Sequence, residues 1–207
     1  MDLVTIDHLL TTTRSVRRRL DLTRPVEPEI IQQCIDIAIQ APTGGGISGY
    51  HFMVVTEPAK RVGLASIYKK AFAEYIGEQS PEDFGPGVYD SARYLAEHMH
   101  EVPVHIIACI EWIPEKANSF EYANIYGSIL PAAWSLMLAL RSRGLGSSWT
   151  TLHCNYEAEV AALLGMPEDL TQGVLLPVAY FKGSDFRPAR RLPGRERTYW
   201  DMWGHTR

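Results

Sequence analysis

The residues with most capacity for chemistry are arginines and glycines. Arg14, Arg17, Arg18 and Arg19 fall within the run TRSVRRRL, the densest positive charge in a chain whose formal net charge is −4. Guanidinium forks beside a hydroxyl such as Ser15 match the oxygens of a phosphate, and the same run also suits a solvated face. A second basic cluster, Arg187, Arg190 and Arg191, lies near the C-terminus. Between them the stretch APTGGGISGYHFMVVT, Ala41 to Thr56, sets three consecutive glycines (Gly44, Gly45, Gly46) before an apolar run. Without Cβ atoms, such a loop lets a flat or charged ligand reach backbone N–H groups; a flexible connection has the same composition. No Gly-Lys-Ser/Thr follows, which excludes a phosphate-binding loop of the nucleotide-hydrolase kind. A second small-residue turn, GLGSSWTTLHC, begins at Gly144.

Other chemistries find little support. His98 and His100 are two apart, so on a helix they point to different faces and do not converge on one metal ion. The remaining histidines lack ligand spacing, and no local Ser/His/Asp or Cys/His signature marks a hydrolase. The net charge argues against nucleic-acid or anionic-membrane partners. Cys34, Cys109 and Cys154 are odd in number and widely spaced, which suits a reducing, cytoplasmic compartment. The start, MDLVTIDHLL, has no basic leader region, and no run approaching the roughly 18 apolar residues of a membrane span is expected.

These residues need elements to hold them. With 207 residues, 46% of them apolar, the chain is expected to form one domain. A short helix capped by Thr5 carries Ile6, Leu9 and Leu10. Pro28 opens a second, with Ile31, Cys34, Ile35 and Ala38 inward, that Pro42 stops. Tyr50 to Val55 reads as a buried strand. Glu57-Pro58 opens a helix whose stripe is Val62, Ala65, Tyr68, Phe72 and Ile76. Residues 77 to 87, GEQSPEDFGPG, form a long loop, either lid or linker. Another helix carries Ala92, Leu95 and Met99, and Val104 to Trp112 is a second strand. The longest helical pattern, Ala123 to Arg143, is apolar nearly all round, and Pro131 should kink or divide it. A third strand follows Gly144, then a helix capped by Asn155 that stops at Gly165, then a strand from Gly173 to Phe181 whose Pro177 implies an edge or bulge. The tail from Lys182 has little periodicity, yet Tyr199, Trp200 and Trp203 favour burial, so it should lie along another surface, such as a partner subunit's.

The order and spacing of these pieces resemble the FMN-dependent nitroreductase family over nearly the whole chain, in a divergent branch. Arg14-Ser15-x-Arg17 is similar to the family's R-S-x-R/K motif, Ala41-Pro42-Thr43-Gly44-Gly45 to its A-P-S-G-G loop, and Gly144-Leu145-Gly146-Ser147 to its G-L-G-[ST] turn. Arg191-Leu192-Pro193, with Arg190 beside it, resembles the late R-x-P element. The chain departs from the pattern at Thr13, Gly46, Ser48-Gly49-Tyr50 and Trp134-Ser135.

The resemblance implies an α+β fold, a central mostly antiparallel sheet flanked by helices, and a homodimer with shared sites and an exchanged arm, residues 182 to 207. It implies FMN, with Arg14, Ser15, Arg190 and Arg191 at the phosphate, Arg17 near N1 and C2=O of the ring, Pro42, Thr43 and Gly44 against the ring or ribityl chain, and amides from Gly146 to Thr150, Ser147 included, toward O4 and N5. It also implies a ping-pong cycle in which NAD(P)H reduces the flavin and a nitroaromatic, quinone or related electrophile reoxidises it, with no side chain acting as acid, base or nucleophile. A reductase or dehalogenase for one metabolite, and a flavin-sequestering protein with little turnover, are the alternatives; a cofactor-free dimerisation module requires both arginine clusters to be ordinary surface.

Overall fold

A computed structural model describes residues 2–46, 49–77, 79–113 and 118–207. Ser48 of the departing tripeptide, and one residue of the expected 77–87 loop, lie outside them. The chain separates into two compact units, Met1–Thr13 with Ser184–Arg207, and Arg14–Gly183.

In the smaller unit, α1 (Leu3–Thr12) is capped by Asp2 rather than Thr5. The Asp2 carboxylate accepts the Val4 N–H and the Thr5 hydroxyl, so the acid at the frame-setting position takes the role first assigned to the threonine. His8 contacts Asp185. In the tail the Tyr199 and Trp203 rings lie 4.4 Å apart, and Trp203 remains 85% exposed within the chain.

The larger unit is built on a four-stranded antiparallel sheet of order β1-β2-β4-β3: β1 (Tyr50–Val55), β2 (Val104–Glu111), β3 (Leu145–Ser147) and β4 (Leu170–Tyr180). Alternation of side chains divides it cleanly. Ile106, Ala108, Val174, Leu176 and Val178 face α2 (Pro28–Ala38) and α5 (Ser119–Ser142). Ile107, Cys109 and Leu175 face α3 (Pro58–Gly77), α4 (Val88–His98) and α6 (Glu157–Leu164).

Several expectations are corrected. Pro131 neither ends nor divides α5, because Ile125, Ile129, Leu136 and Leu140 are fully buried along it and that packing outweighs one lost helical bond. By length and composition this helix could cross a membrane, contrary to the sequence reading, though half its apolar window is buried inside the fold. Val62 is exposed; the inward face of α3 is Leu64, Ala65, Tyr68, Ala71 and Phe72. Tyr156, not Asn155, precedes α6. Pro177 lies within the interior strand β4, opposite His105. The register shift falls instead between Ala108 and Cys109, opposite Gly173. Ser148 N–H donates to the Pro177 carbonyl at 3.2 Å, but proline has no N–H to return. The β3 ladder accordingly lapses after Ser147 and resumes as a single bridge at Thr150–Leu175, which is why the third strand is so short.

Candidate functional site

The segment carrying Arg14, Ser15 and Arg17 lies along the outer edge of β3. Ser15 forms a parallel bridge with Ser147, and Val16 N–H donates to the Ser147 carbonyl at 2.8 Å. The Ser15 hydroxyl accepts the Trp149 N–H at 3.0 Å. Gly146 packs closely here: a Cβ on it would come within 3.1 Å of the Val16 side chain, which would have to shift by a few tenths of an ångström. Beyond the turn, Arg19 and Asp21 continue the pairing: Lys182 N–H donates to the Arg19 carbonyl and Asp21 N–H to that of Tyr180, both at 2.7 Å. Two motifs about 130 residues apart are thus locked together by backbone bonds, which arrange Arg14 and Arg17 on either side of the bridged Ser15.

Arg17 is half-buried. Burial holds its guanidinium below the ordinary value, and the neighbouring Tyr68 offsets part of that effect. Among the described residues no carboxylate pairs with it. Tyr68 comes from α3, is 3% exposed, stacks on Phe72 and accepts the Thr150 hydroxyl at 3.2 Å. Burial pushes its phenol up, so it stays neutral and leaves the cation uncompensated. Such a guanidinium, beside a polar turn, is suited to an anionic group that brings its own charge. Ser148 adds a buried hydroxyl without a hydrogen-bond partner among the described residues.

The glycine loop is held differently. Gly44 N–H donates to Ser128 Oγ at 2.9 Å, and that hydroxyl donates to the Asn124 carbonyl at 2.7 Å, both on α5. Gly45 and Gly46 take φ of 66° and 69°, so their glycines meet a backbone requirement. Pro42 is exposed, Thr43 and Gly44 half-buried. The structure therefore brings Arg14, Ser15 and Arg17 to Gly146 and Ser147, whereas Pro42, Thr43 and Gly44 are fixed by α5. Arg190 and Arg191 are exposed and belong to the smaller unit. One expectation changes: the amides of Ser148, Trp149 and Thr150, three of the five assigned to a ligand, are engaged inside the chain by Pro177, Ser15 and Leu175. Tyr68, Ser128 and Asn124, which fix these two segments, carry no signal in sequence: the first is one more aromatic in a helical stripe, and the others are polar residues in an apolar helix.

Residues 10–180 match the model of the nitroreductase family. The chain belongs to that family. Among curated proteins it is 27% identical to iodotyrosine deiodinase 1 of Rattus norvegicus over 179 residues, 83% of this chain and 60% of that protein. The chain thus spans about 60% of the length of the deiodinase it matches. Its fold is similar to that of the FMN-dependent nitroreductase NfnB of Mycobacterium smegmatis in complex with NADPH, with a TM-score of 0.71, 20% identity, and 97% of this chain and 100% of that chain covered. It is similar also to oxidised iodotyrosine deiodinase bound to FMN and 3-iodo-L-tyrosine, with a TM-score of 0.68, 21% identity, and 92% and 98% covered. The mixed α+β architecture with an antiparallel sheet is that of the family, and the R-S-x-R and G-L-G-S motifs fall within the matched residues.

Proposed function

We propose that this chain is an FMN-dependent oxidoreductase that takes electrons from NAD(P)H and delivers them to nitroaromatics, quinones or related electrophiles in a ping-pong cycle. The observation that carries the reading is Arg17, a half-buried cation with no carboxylate partner among the described residues, two residues beyond the Ser15 bridge to Ser147. FMN, when bound, supplies hydride acceptance from the nicotinamide and electron donation to the acceptor. Arg14 and Ser15 hold its phosphate, and Arg17 places positive charge where the reduced ring is negative, which raises its potential. Pro42, Thr43 and Gly44 offer a low wall for the ring or ribityl chain.

A homodimer with shared sites and an exchanged arm, residues 182–207, accounts for the exposed aromatics of the tail, Trp203 above all. The three cysteines are free, which agrees with a reducing, cytoplasmic setting. Reductive dehalogenation of a dedicated metabolite is the second reading, favoured by the similarity to iodotyrosine deiodinase across 83% of this chain. In the expected lid region Phe84 packs against Tyr75 and Tyr89, a start on the closed site that a dedicated substrate needs.

The test is an absorbance spectrum of the purified protein followed by anaerobic titration with NADPH and NADH. A flavin band bleached by either donor and restored by a nitroaromatic or quinone supports the reading. Recovery only with a halogenated aromatic supports the second. A protein that refuses added FMN contradicts both.

A further inference from the structure

The loop from Ala41 to Gly46 is fastened at two points by hydroxyl groups from different elements. Ser128 of α5 is 3% exposed, and its place is set by Ile125 and Ile129, both fully buried on the same helix. Its single hydroxyl proton goes to the Asn124 carbonyl at 2.7 Å, so the oxygen is left to accept the Gly44 N–H at 2.9 Å. At the other end of the loop the Tyr50 hydroxyl donates to the Ala41 carbonyl. Tyr50 opens β1 opposite Ile110 of β2, and it packs against the apolar core. The Gly46 N–H closes the turn on the Thr43 carbonyl at 3.4 Å. Pro42 and Thr43 therefore stand between two fastened backbone groups, one tied to a core helix and the other to a core strand. With its amide taken by Ser128, Gly44 offers a ligand surface rather than a hydrogen bond. What this loop can give a ligand is the shape of its wall.

We propose that Ser128 and Tyr50 are positioning residues that hold the wall of Pro42, Thr43 and Gly44 in place for bound FMN. The inference rests on the flavin reading above. A wall set in advance receives the ring or ribityl chain without a further cost of ordering the loop. Replacing Ser128 by alanine leaves the half-buried Gly44 N–H without its acceptor, and the loop gains conformations in which that amide turns to water. Removing the Tyr50 hydroxyl releases the Ala41 carbonyl in the same way. Both changes keep the packing of Ile125, Ile129 and the ring at position 50, so they fall on FMN more than on the fold.

The experiment uses the full-length protein as wild type, Ser128→Ala, Tyr50→Phe and the double variant. Ser142→Ala is the control, because it removes a hydroxyl that bonds only within α5 and to Arg143 just beyond it. The readouts are the FMN dissociation constant from flavin fluorescence, the visible circular dichroism of bound flavin, which reports the surroundings of the ring, and the urea midpoint. Ser128→Ala and Tyr50→Phe should each weaken FMN binding about fivefold, the worth of one hydrogen bond, and change the visible spectrum. The double variant should lose less than the product of the two, since a loop released at one end has less to lose at the other. Ser142→Ala should match wild type in affinity and spectrum. Unchanged affinity and spectrum in either single variant, losses that multiply in full, or a loss that Ser142→Ala reproduces overturns the proposal. Should Ser128→Ala misfold, Tyr50→Phe is held to the same criteria. Wild-type protein that binds no FMN removes the flavin reading and this inference with it, whereas FMN bound alike by wild type and variants removes the inference alone.

Discussion

The two faces of the central sheet are built from the same four strands but to different ends. Toward α2 and α5 the buried side chains are apolar almost without exception: Ile106, Ala108, Ile129, Leu136, Val174 and Leu176. Toward α3 and α6 the strands and their connections bury His105, Cys109, Ser148, His153 and Gln172, with Tyr68 of α3 packed beside half-buried Thr150. An apolar face needs only volume and shape, whereas a buried polar group needs a partner or is held neutral. The contrast sets an apolar face against one that buries polar groups.

Substitutions on the two faces should therefore have different consequences. Leu136→Ala, in the apolar face, should lower stability by about 2–5 kcal/mol, read from the urea midpoint, while the potential of bound flavin in the folded protein stays put. A shift in that potential would mean that the faces are not separable.

Acid should act on the other face. Burial holds His105 down to about 3, with Arg61 adding to the effect, and holds His153 down to about 4. Both rings therefore stay neutral in the fold and take a proton on unfolding below their ordinary value of 6.5. Their contribution is fully present above that pH and is lost as pH falls toward the folded values, by roughly 1.4 kcal/mol per histidine for each pH unit. Urea midpoints between pH 7 and 5 should fall accordingly, and His105→Leu should flatten the slope.

Ser15→Ala removes the acceptor of the Trp149 amide and should cost about 1 kcal/mol, with a larger relative loss in FMN affinity than in stability. Lys70→Ala breaks an exposed pair with Glu159 on the outer surface of α3 and should leave both the urea midpoint and the potential unchanged.

Much of the apolar face was legible in the sequence. Strand β1 is legible to the residue, β2 to within one, and α2 from Pro28 with its inward Ile31, Cys34 and Ala38, because burial on one face imprints a period. The polar face was less so. The third strand could not be seen to stop at Ser147, since the cause is a missing N–H on Pro177 in another strand. Pro177 itself was read as an edge residue because the sequence shows what proline lacks but not which neighbour goes without. The site motifs were legible through their order along the chain. That Ser15 meets Ser147, and that the Thr150 hydroxyl reaches Tyr68, depends on tertiary pairing that no local pattern encodes.

The uncompensated arginine is where FMN is proposed to bind. The most direct measurement is a titration of FMN fluorescence with the full-length protein, wild type against Arg17→Gln and Arg14→Gln, at low and physiological salt. Saturable binding by the wild type, weakened about tenfold or more in each variant, is the predicted result. Wild-type protein that binds no FMN, or variants that bind it as tightly as wild type, would contradict the claim.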